Sequence, residues 1–205
     1  EVPFSVALLI DLSRSTKQKL PVIKKAALDF VRQLQPRDRV LIVAFSDHVE
    51  YIGDFSNDQN QLARTIDTLK SGYGTSLYDA VQRTIREKLQ PLTGRKALVV
   101  LTDGVDTMSR QASYSSTLDL ISHSGIVCYA VQYETRNDGG KLIKPSDLPY
   151  IGSQRNNFLS HSFAPAPPQQ GIVNIPRSDE QLMRTKRDRD LVAMEYLRAM
   201  AFQSG

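Results

Sequence analysis

Four apolar segments, each set off from the next by polar turns and helical periodicity, constrain this chain more than anything else in it. They are Phe4 to Ile10, Arg39 to Phe45, Ala97 to Leu101 and Ile126 to Val131. Their apolar character is nearly continuous, so they read as strands buried on both faces of a parallel sheet. Between them the period changes. Lys17 to Leu34 places Leu20, Ile23, Ala27, Phe30, Val31 and Leu34 on one side of a helix, with Pro21 early, where a first turn tolerates it. Asn57-Asp58 can cap a helix through Leu62, Ile66 and Leu69. Ser76 to Leu89 and Gln111 to His123 are two more helices. His48 to Ile52 alternates, as a short antiparallel edge strand does. The expected fold is α/β, Rossmann-like and doubly wound: a mostly parallel sheet, helices on both faces and one short antiparallel edge strand.

Periodicity is lost from about Glu134 to Asp190. That stretch holds the turn Asn137-Asp138-Gly139-Gly140, the stiff run Ala164-Pro165-Ala166-Pro167-Pro168 and a mixed-charge run from Arg184 to Asp190. It reads as a long irregular insertion into a single domain spanning 1–205, and its length is unusual for a compact domain. It leaves from the carboxyl edge of the sheet, as a solvated excursion or as a flap. A helix resumes over Leu191 to Phe202, with Val192, Tyr196, Leu197 and Met200 on its apolar side. No internal repeat is visible.

At 205 residues with 40% hydrophobic and 23% charged side chains, the chain is long enough to bury a sizeable core. Its net charge of +4 comes from scattered basic residues with no aromatic stacking pattern, which argues against nucleic acid as a partner. No apolar run approaches the roughly 18 residues of a membrane-spanning helix, so direct membrane insertion is not expected. No signal peptide is visible, and the abrupt entry into a strand reads as an excised segment. The single cysteine, Cys128, lies within an apolar run and reads as a small buried hydrophobe. His48, His123 and His161 share no ligand spacing.

Loops at the carboxyl ends of parallel strands gather functional groups. Here three loops carry hard oxygen donors: Asp11-x-Ser13-x-Ser15 after the first strand, Gly74-Thr75-Ser76 before a helix, and Thr102-Asp103-Gly104 after the third buried strand. Gly72 and Gly74 let the second loop approach closely. Two carboxylates and three hydroxyls, from Asp11, Ser13, Ser15, Thr75 and Asp103, suit a Mg2+-class cation. Two carboxylates merely neutralise a divalent ion, which leaves it able to take one more carboxylate from outside. Taken alone, Asp11 or Ser15 reads as an ordinary helix cap. The three loops together read as a metal site.

These residues resemble the metal-ion-dependent adhesion site of von Willebrand factor type A domains. The resemblance covers about residues 3 to 133. More narrowly, Leu34-Gln35-Pro36-Arg37-Asp38-Arg39-Val40, Gly74-Thr75-Ser76-Leu77-Tyr78-Asp79-Ala80, Gly94-Arg95-Lys96-Ala97-Leu98 and Thr102 to Ser109 are similar to a bacterial branch known from Acidobacteria. The resemblance implies a protein-binding module rather than an enzyme. It implies Mg2+ (or Mn2+, with Ca2+ as a further option), a partner presenting Glu or Asp, and an extracytoplasmic or secreted setting. Arg14, Ser76, Tyr78 and Asp106 would form the rim, with Arg14 repelling a cationic ligand or holding an acidic one. Tyr73, Tyr129 and Tyr133 either line that edge or pack in the core, a choice that also stands for Tyr78. Asp79 is expected to hydrogen-bond its loop. Thr16, Lys17, Gln18 and Lys19 stand where integrin-like domains carry acidic residues, so no second cation is expected. The family closes with a Thr-Gly-Gly-like turn, a strand and a helix. Tyr196 to Ala201 and Gln203-Ser204-Gly205 resemble the approach to that turn, so the last strand and helix are expected to be missing.

Two other readings are open. Asp11 after a buried strand could serve as the nucleophile of a Mg2+-dependent hydrolase, but Ser13 stands where such enzymes carry a second, acid-base carboxylate. The domain could also be structural, with a site that is never loaded. A Gly-x-Ser-x-Gly elbow and a glycine-rich phosphate loop are both missing.

Overall fold

The computed structural model of the protein describes residues 2–132 and 186–204. In chain order it contains β1 (Phe4–Asp11), a 3-10 turn (Arg14–Lys19), α1 (Leu20–Gln33), β2 (Arg39–Phe45), β3 (Val49–Ser56) and α2 (Gln59–Thr68). There follow α3 (Leu77–Arg83), which runs on into a π-helical turn (Thr84–Leu89), then β4 (Arg95–Thr102), α4 (Tyr114–Ser124), β5 (Val127–Gln132) and α5 (Lys186–Gln203).

The five strands form one sheet in the order β3-β2-β1-β4-β5, parallel throughout except for β3. The α/β expectation therefore holds, including the antiparallel edge, although β3 runs Val49–Ser56 rather than the short His48 to Ile52 expected. Alternate residues of each inner strand point to opposite faces, which is the pleat at work. Val6, Leu8 and Ile10 join Val40, Ile42 and Ala44 beneath α1 and α2. Ala7 and Leu9 join Leu41, Val43 and Phe45 beneath α3, α4 and α5. Residues 6 to 10 of β1 are wholly inaccessible. A strand covered on both faces needs apolar residues at every position, so the run is continuous rather than alternating.

Helix boundaries differ from the expectation for identifiable reasons. The first helix was expected from Lys17, but α1 begins at Leu20 and a 3-10 turn precedes it. Pro21 has no N–H to bond back to the preceding turn, so the α ladder starts only around it. The fourth helix was expected from Gln111 and begins at Tyr114. The N–H groups of Arg110, Gln111 and Ala112 are taken by Asp79, and Ser113 caps the helix reciprocally with Ser116. The last helix begins at Lys186, within the stretch expected to be irregular up to Asp190. The rest of that insertion, including His161, lies outside the described residues, as does Tyr133.

The cysteine reading holds. Cys128 is buried and free, and burial pushes its thiol up to about 12. Among the described residues no helix is long and apolar enough to cross a membrane.

Candidate metal centre

The sheet reverses its winding direction between β1 and β4, the place where an open α/β sheet leaves a crevice. Register brings the two loops level there: Ile10 pairs with Leu101, so Asp11 faces Thr102 one residue on. The loop after β1 is held against β2 by Leu12 N–H donating to Phe45 C=O at 2.8 Å. The Thr75 loop is tied to both neighbours. Gly72 N–H donates to Leu12 C=O at 2.6 Å, while Thr107 and Met108 N–H both donate to Thr75 C=O at 2.9 and 3.0 Å. Thr107 Oγ1 in turn accepts from Thr75 N–H at 3.0 Å.

Glycine is needed twice in the Thr75 loop. A Cβ on Gly72 would collide with the Ser46 side chain, and one on Gly74 with Met108. Close backbone approach, rather than an unusual φ, is what these positions require.

A chain of side-chain hydrogen bonds links the first and third loops. Ser15 Oγ donates to Asp103 Oδ2 at 2.8 Å, and Ser13 Oγ lies 2.9 Å from Ser15 Oγ. Asp11 Oδ1 accepts from Ser13 N–H at 2.8 Å, and Asp11 Oδ2 accepts from Thr102 Oγ1 at 2.7 Å. Thus Asp11, Ser13, Ser15 and Asp103 are brought together directly. Thr75 is brought beside them through its backbone.

Asp11 is completely inaccessible, and Ser13 and Thr75 are nearly so, whereas Ser15 is exposed and Asp103 half-buried. The site is therefore closed beneath and open above. Burial, reinforced by the charge of Asp103, pushes the Asp11 carboxyl up to about 6. Asp103 is raised as well, chiefly by burial and also by the Asp190 charge on α5, with the Ser15 hydrogen bond opposing. Two carboxylates that burial and mutual repulsion disfavour, set among hydroxyl oxygens, fit a hard divalent cation. Among the described residues no group of three or more His, Cys, Asp or Glu side chains is placed to hold a metal.

The rim residues divide. Arg14 is exposed between Ser13 and Ser15. Ser76 is buried, its N–H donating to Ser46 C=O at 2.6 Å. Tyr78 turns inward, with its ring 4.8 Å from that of Tyr196 and 6.4 Å from that of Tyr114. Asp106 accepts from Tyr78 N–H at 3.1 Å and from Ser109 Oγ at 2.6 Å. Tyr78 and Asp106 are thus committed to holding α3 and the β4 loop together, because their partners lie inside the fold. Tyr129 packs against the α1–α2 face, while Tyr73 is 82% exposed. Asp79, on α3, has the structural role expected, its carboxylate accepting from the N–H groups of Arg110, Gln111 and Ala112 in the loop before α4.

Sequence reasoning missed two supporting residues. Thr102 donates to Asp11 and accepts from Gly104 N–H at 2.9 Å, so it fixes both loops. Its signal was its place in the Thr-Asp-Gly turn. Gln132 donates to Asp103 C=O at 3.2 Å from the end of β5, and no local pattern marks it. A third relationship comes from α5. Gly104 has φ +87°, and a Cβ there would meet Leu197 and Ala193. The last helix thus packs directly on the turn that carries Asp103.

The structure resembles an aerotolerance-related membrane protein of Bacteroides fragilis, at 19% identity and a TM-score of 0.59, over 98% of this chain and 88% of that one. It resembles a von Willebrand factor type A protein of Catenulispora acidiphila at 16% identity and 0.55, over 62% and 32% of the two chains. It also resembles proximal thread matrix protein 1 of the mussel byssus, solved with a zinc-occupied MIDAS motif, at 19% and 0.55, over 63% and 35%. These likenesses speak for the fold. In sequence, an uncharacterized protein of Synechocystis sp. is 28% identical over 107 residues, half of this chain. The chain spans about a quarter of that relative's length, 26%. The family profile of the von Willebrand factor type A domain matches residues 5–167, most of the chain, and on that match the protein belongs to the von Willebrand factor type A domain family.

Proposed function

We propose that this domain is a metal-dependent protein-binding module in which Asp11, Ser13, Ser15, Thr75 and Asp103 hold a divalent cation. Domains of this family are generally metal-dependent interaction modules. The observation that carries the reading is the hydrogen-bonded chain from Asp103 through Ser15 to Ser13, lying above the buried Asp11 carboxylate. In that chain the Ser13 and Ser15 hydroxyl oxygens lie 2.9 Å apart, and Thr102 and the Ser13 N–H fix the orientation of Asp11.

A bound Mg2+ or Mn2+ supplies a positive charge to which a Glu or Asp side chain of a partner can bind. Asp11 and Asp103 balance that charge without exceeding it, so an external carboxylate is still attracted. The half-open rim, with Ser15 and Arg14 exposed, gives a side chain from outside access to the site. Arg14 favours an acidic partner over a basic one. The motifs quoted above favour the bacterial branch of the family and, with it, an extracytoplasmic setting. The loss of sequence periodicity from about Glu134 favours one domain into which the segment after β5 is inserted.

Calorimetric titration of Mg2+ and Mn2+ into EDTA-stripped protein tests the reading, beside Asp11→Ala and Thr75→Ala. One saturable site, lost in both variants, is the expected result. Heats indistinguishable from dilution in the parent protein would sink the proposal.

A further inference from the structure

We infer that the rim of the candidate metal centre reads a second feature of the partner: an apolar side chain next to the captured acidic residue. This rests on the metal-dependent reading above. Tyr73 and Met108 are among six large hydrophobic residues exposed among the described residues, at 82% and 38%. Single exposed apolar side chains are common and need no explanation. These two are not separate. Met108 N–H donates to Thr75 C=O at 3.0 Å, and the Met108 side chain lies so close over Gly74 that a Cβ there would strike it. Tyr73 is the residue next to Gly74. The loop that carries Thr75 and the loop after Asp103 meet at that bond, and each carries an exposed apolar side chain within two residues of it or at it, Tyr73 and Met108.

Charge selects the occupant. Of the carboxylates at this edge, Asp79 accepts from the N–H groups of residues 110–112 and Asp106 from Tyr78 and Ser109, while Asp103 accepts from Ser15 with the Asp190 charge of α5 near it. The exposed charges are mainly cationic. Arg14 and Lys17 stand on the 3-10 turn with Ser15, and Arg110 stands on the loop with Met108. Asp47, beside Gly72, is the exposed acid at the margin. Loops that expose Arg14, Lys17 and Arg110 together with Tyr73 and Met108 fit an acidic segment with an aromatic or aliphatic side chain adjoining its acid.

Two labelled hexapeptides test this, Gly-Ser-Glu-Phe-Gly-Ser and Gly-Ser-Glu-Ala-Gly-Ser, with binding followed by anisotropy in saturating Mg2+ and Mg2+ loading followed separately by calorimetry. The expected result is a preference of about tenfold for the Phe peptide in the parent protein, the size typical of one apolar contact. Tyr73→Ala and Met108→Ala should abolish the preference while Mg2+ affinity stays as in the parent. Failure of Mg2+ to bind would overturn the metal reading on which the inference rests. Normal Mg2+ binding with no preference between the peptides would overturn this inference alone.

Discussion

Thr102 Oγ1 donates to Asp11 Oδ2 at 2.7 Å while accepting from Gly104 N–H at 2.9 Å, so one buried hydroxyl sets both a carboxylate and the turn beside it. The pair lies at matched register on the adjacent strands β1 and β4, 91 residues apart in the chain. It orients Asp11 but does not neutralise it, and the first prediction depends on that difference.

Asp11→Asn should stabilise the metal-free domain at pH 7 by about 1–2 kcal/mol, because it removes a buried charge that burial and Asp103 both disfavour. The amide oxygen can keep the bond from Ser13 N–H. The same variant should lose Mg2+ binding. Thermal melts in EDTA and in Mg2+ check both halves: the variant should melt above the parent in EDTA and gain nothing from Mg2+.

The pH dependence has a definite sign. The Asp11 carboxyl titrates at about 6 in the folded domain, against an ordinary 3.8. The folded state therefore binds the proton more tightly than the unfolded state. The resulting stabilisation is fully present below about pH 4 and is lost as pH rises through about 6. Metal binding runs the other way, since the cation requires the ionised form. Apparent Mg2+ affinity should fall by about tenfold per pH unit below 6 and flatten above it. Calorimetric titrations at pH 5, 6 and 7 read this directly, and an unchanged affinity would contradict it.

Gly104→Ala should cost about 2–3 kcal/mol, because it combines two penalties. The residue has φ +87°, and the added methyl would meet Leu197 and Ala193 of α5. Truncating Leu197 as well should not restore stability, since the backbone strain remains and a core side chain is lost. Urea denaturation of the single and double variants measures both.

Asp79→Ala should destabilise by about 1–3 kcal/mol without touching any proposed ligand. Its carboxylate accepts from three consecutive N–H groups, those of Arg110, Gln111 and Ala112, at 2.8 to 3.0 Å. Removing it leaves these donors unpaired just before α4 and loosens the loop that carries Met108. Hydrogen exchange should accelerate at residues 110–112 and stay slow in β1.

Much of this was legible along the chain because its causes are local or follow from topology. A strand buried on both faces must be continuously apolar, and so β1, β2, β4 and β5 stand out in the sequence. Parallel strands joined by helices must end on one edge, and that alone puts Asp11 and Asp103 on the same side. Pro21 bears on where α1 begins, yet the 3-10 turn ahead of it needed backbone geometry to recognise. Other features arise only when distant segments meet. Tyr78 and Tyr73 lie five positions apart on adjoining stretches, yet one packs on Tyr196 and the other faces water, because α5 covers the first and not the second. Thr102 is marked in the sequence by its Thr-Asp-Gly turn, but its bond to Asp11 appears only when the two strands are set at matched register. The packing of Leu197 and Ala193 on Gly104 joins segments some ninety residues apart in number, and no periodicity encodes it. By itself the sequence determined which residues are apolar, in what rhythm, and which oxygens end the strands. The tertiary structure decided which of those oxygens share a proton and which aromatic rings stay outside, since both depend on neighbours supplied by other elements of the fold.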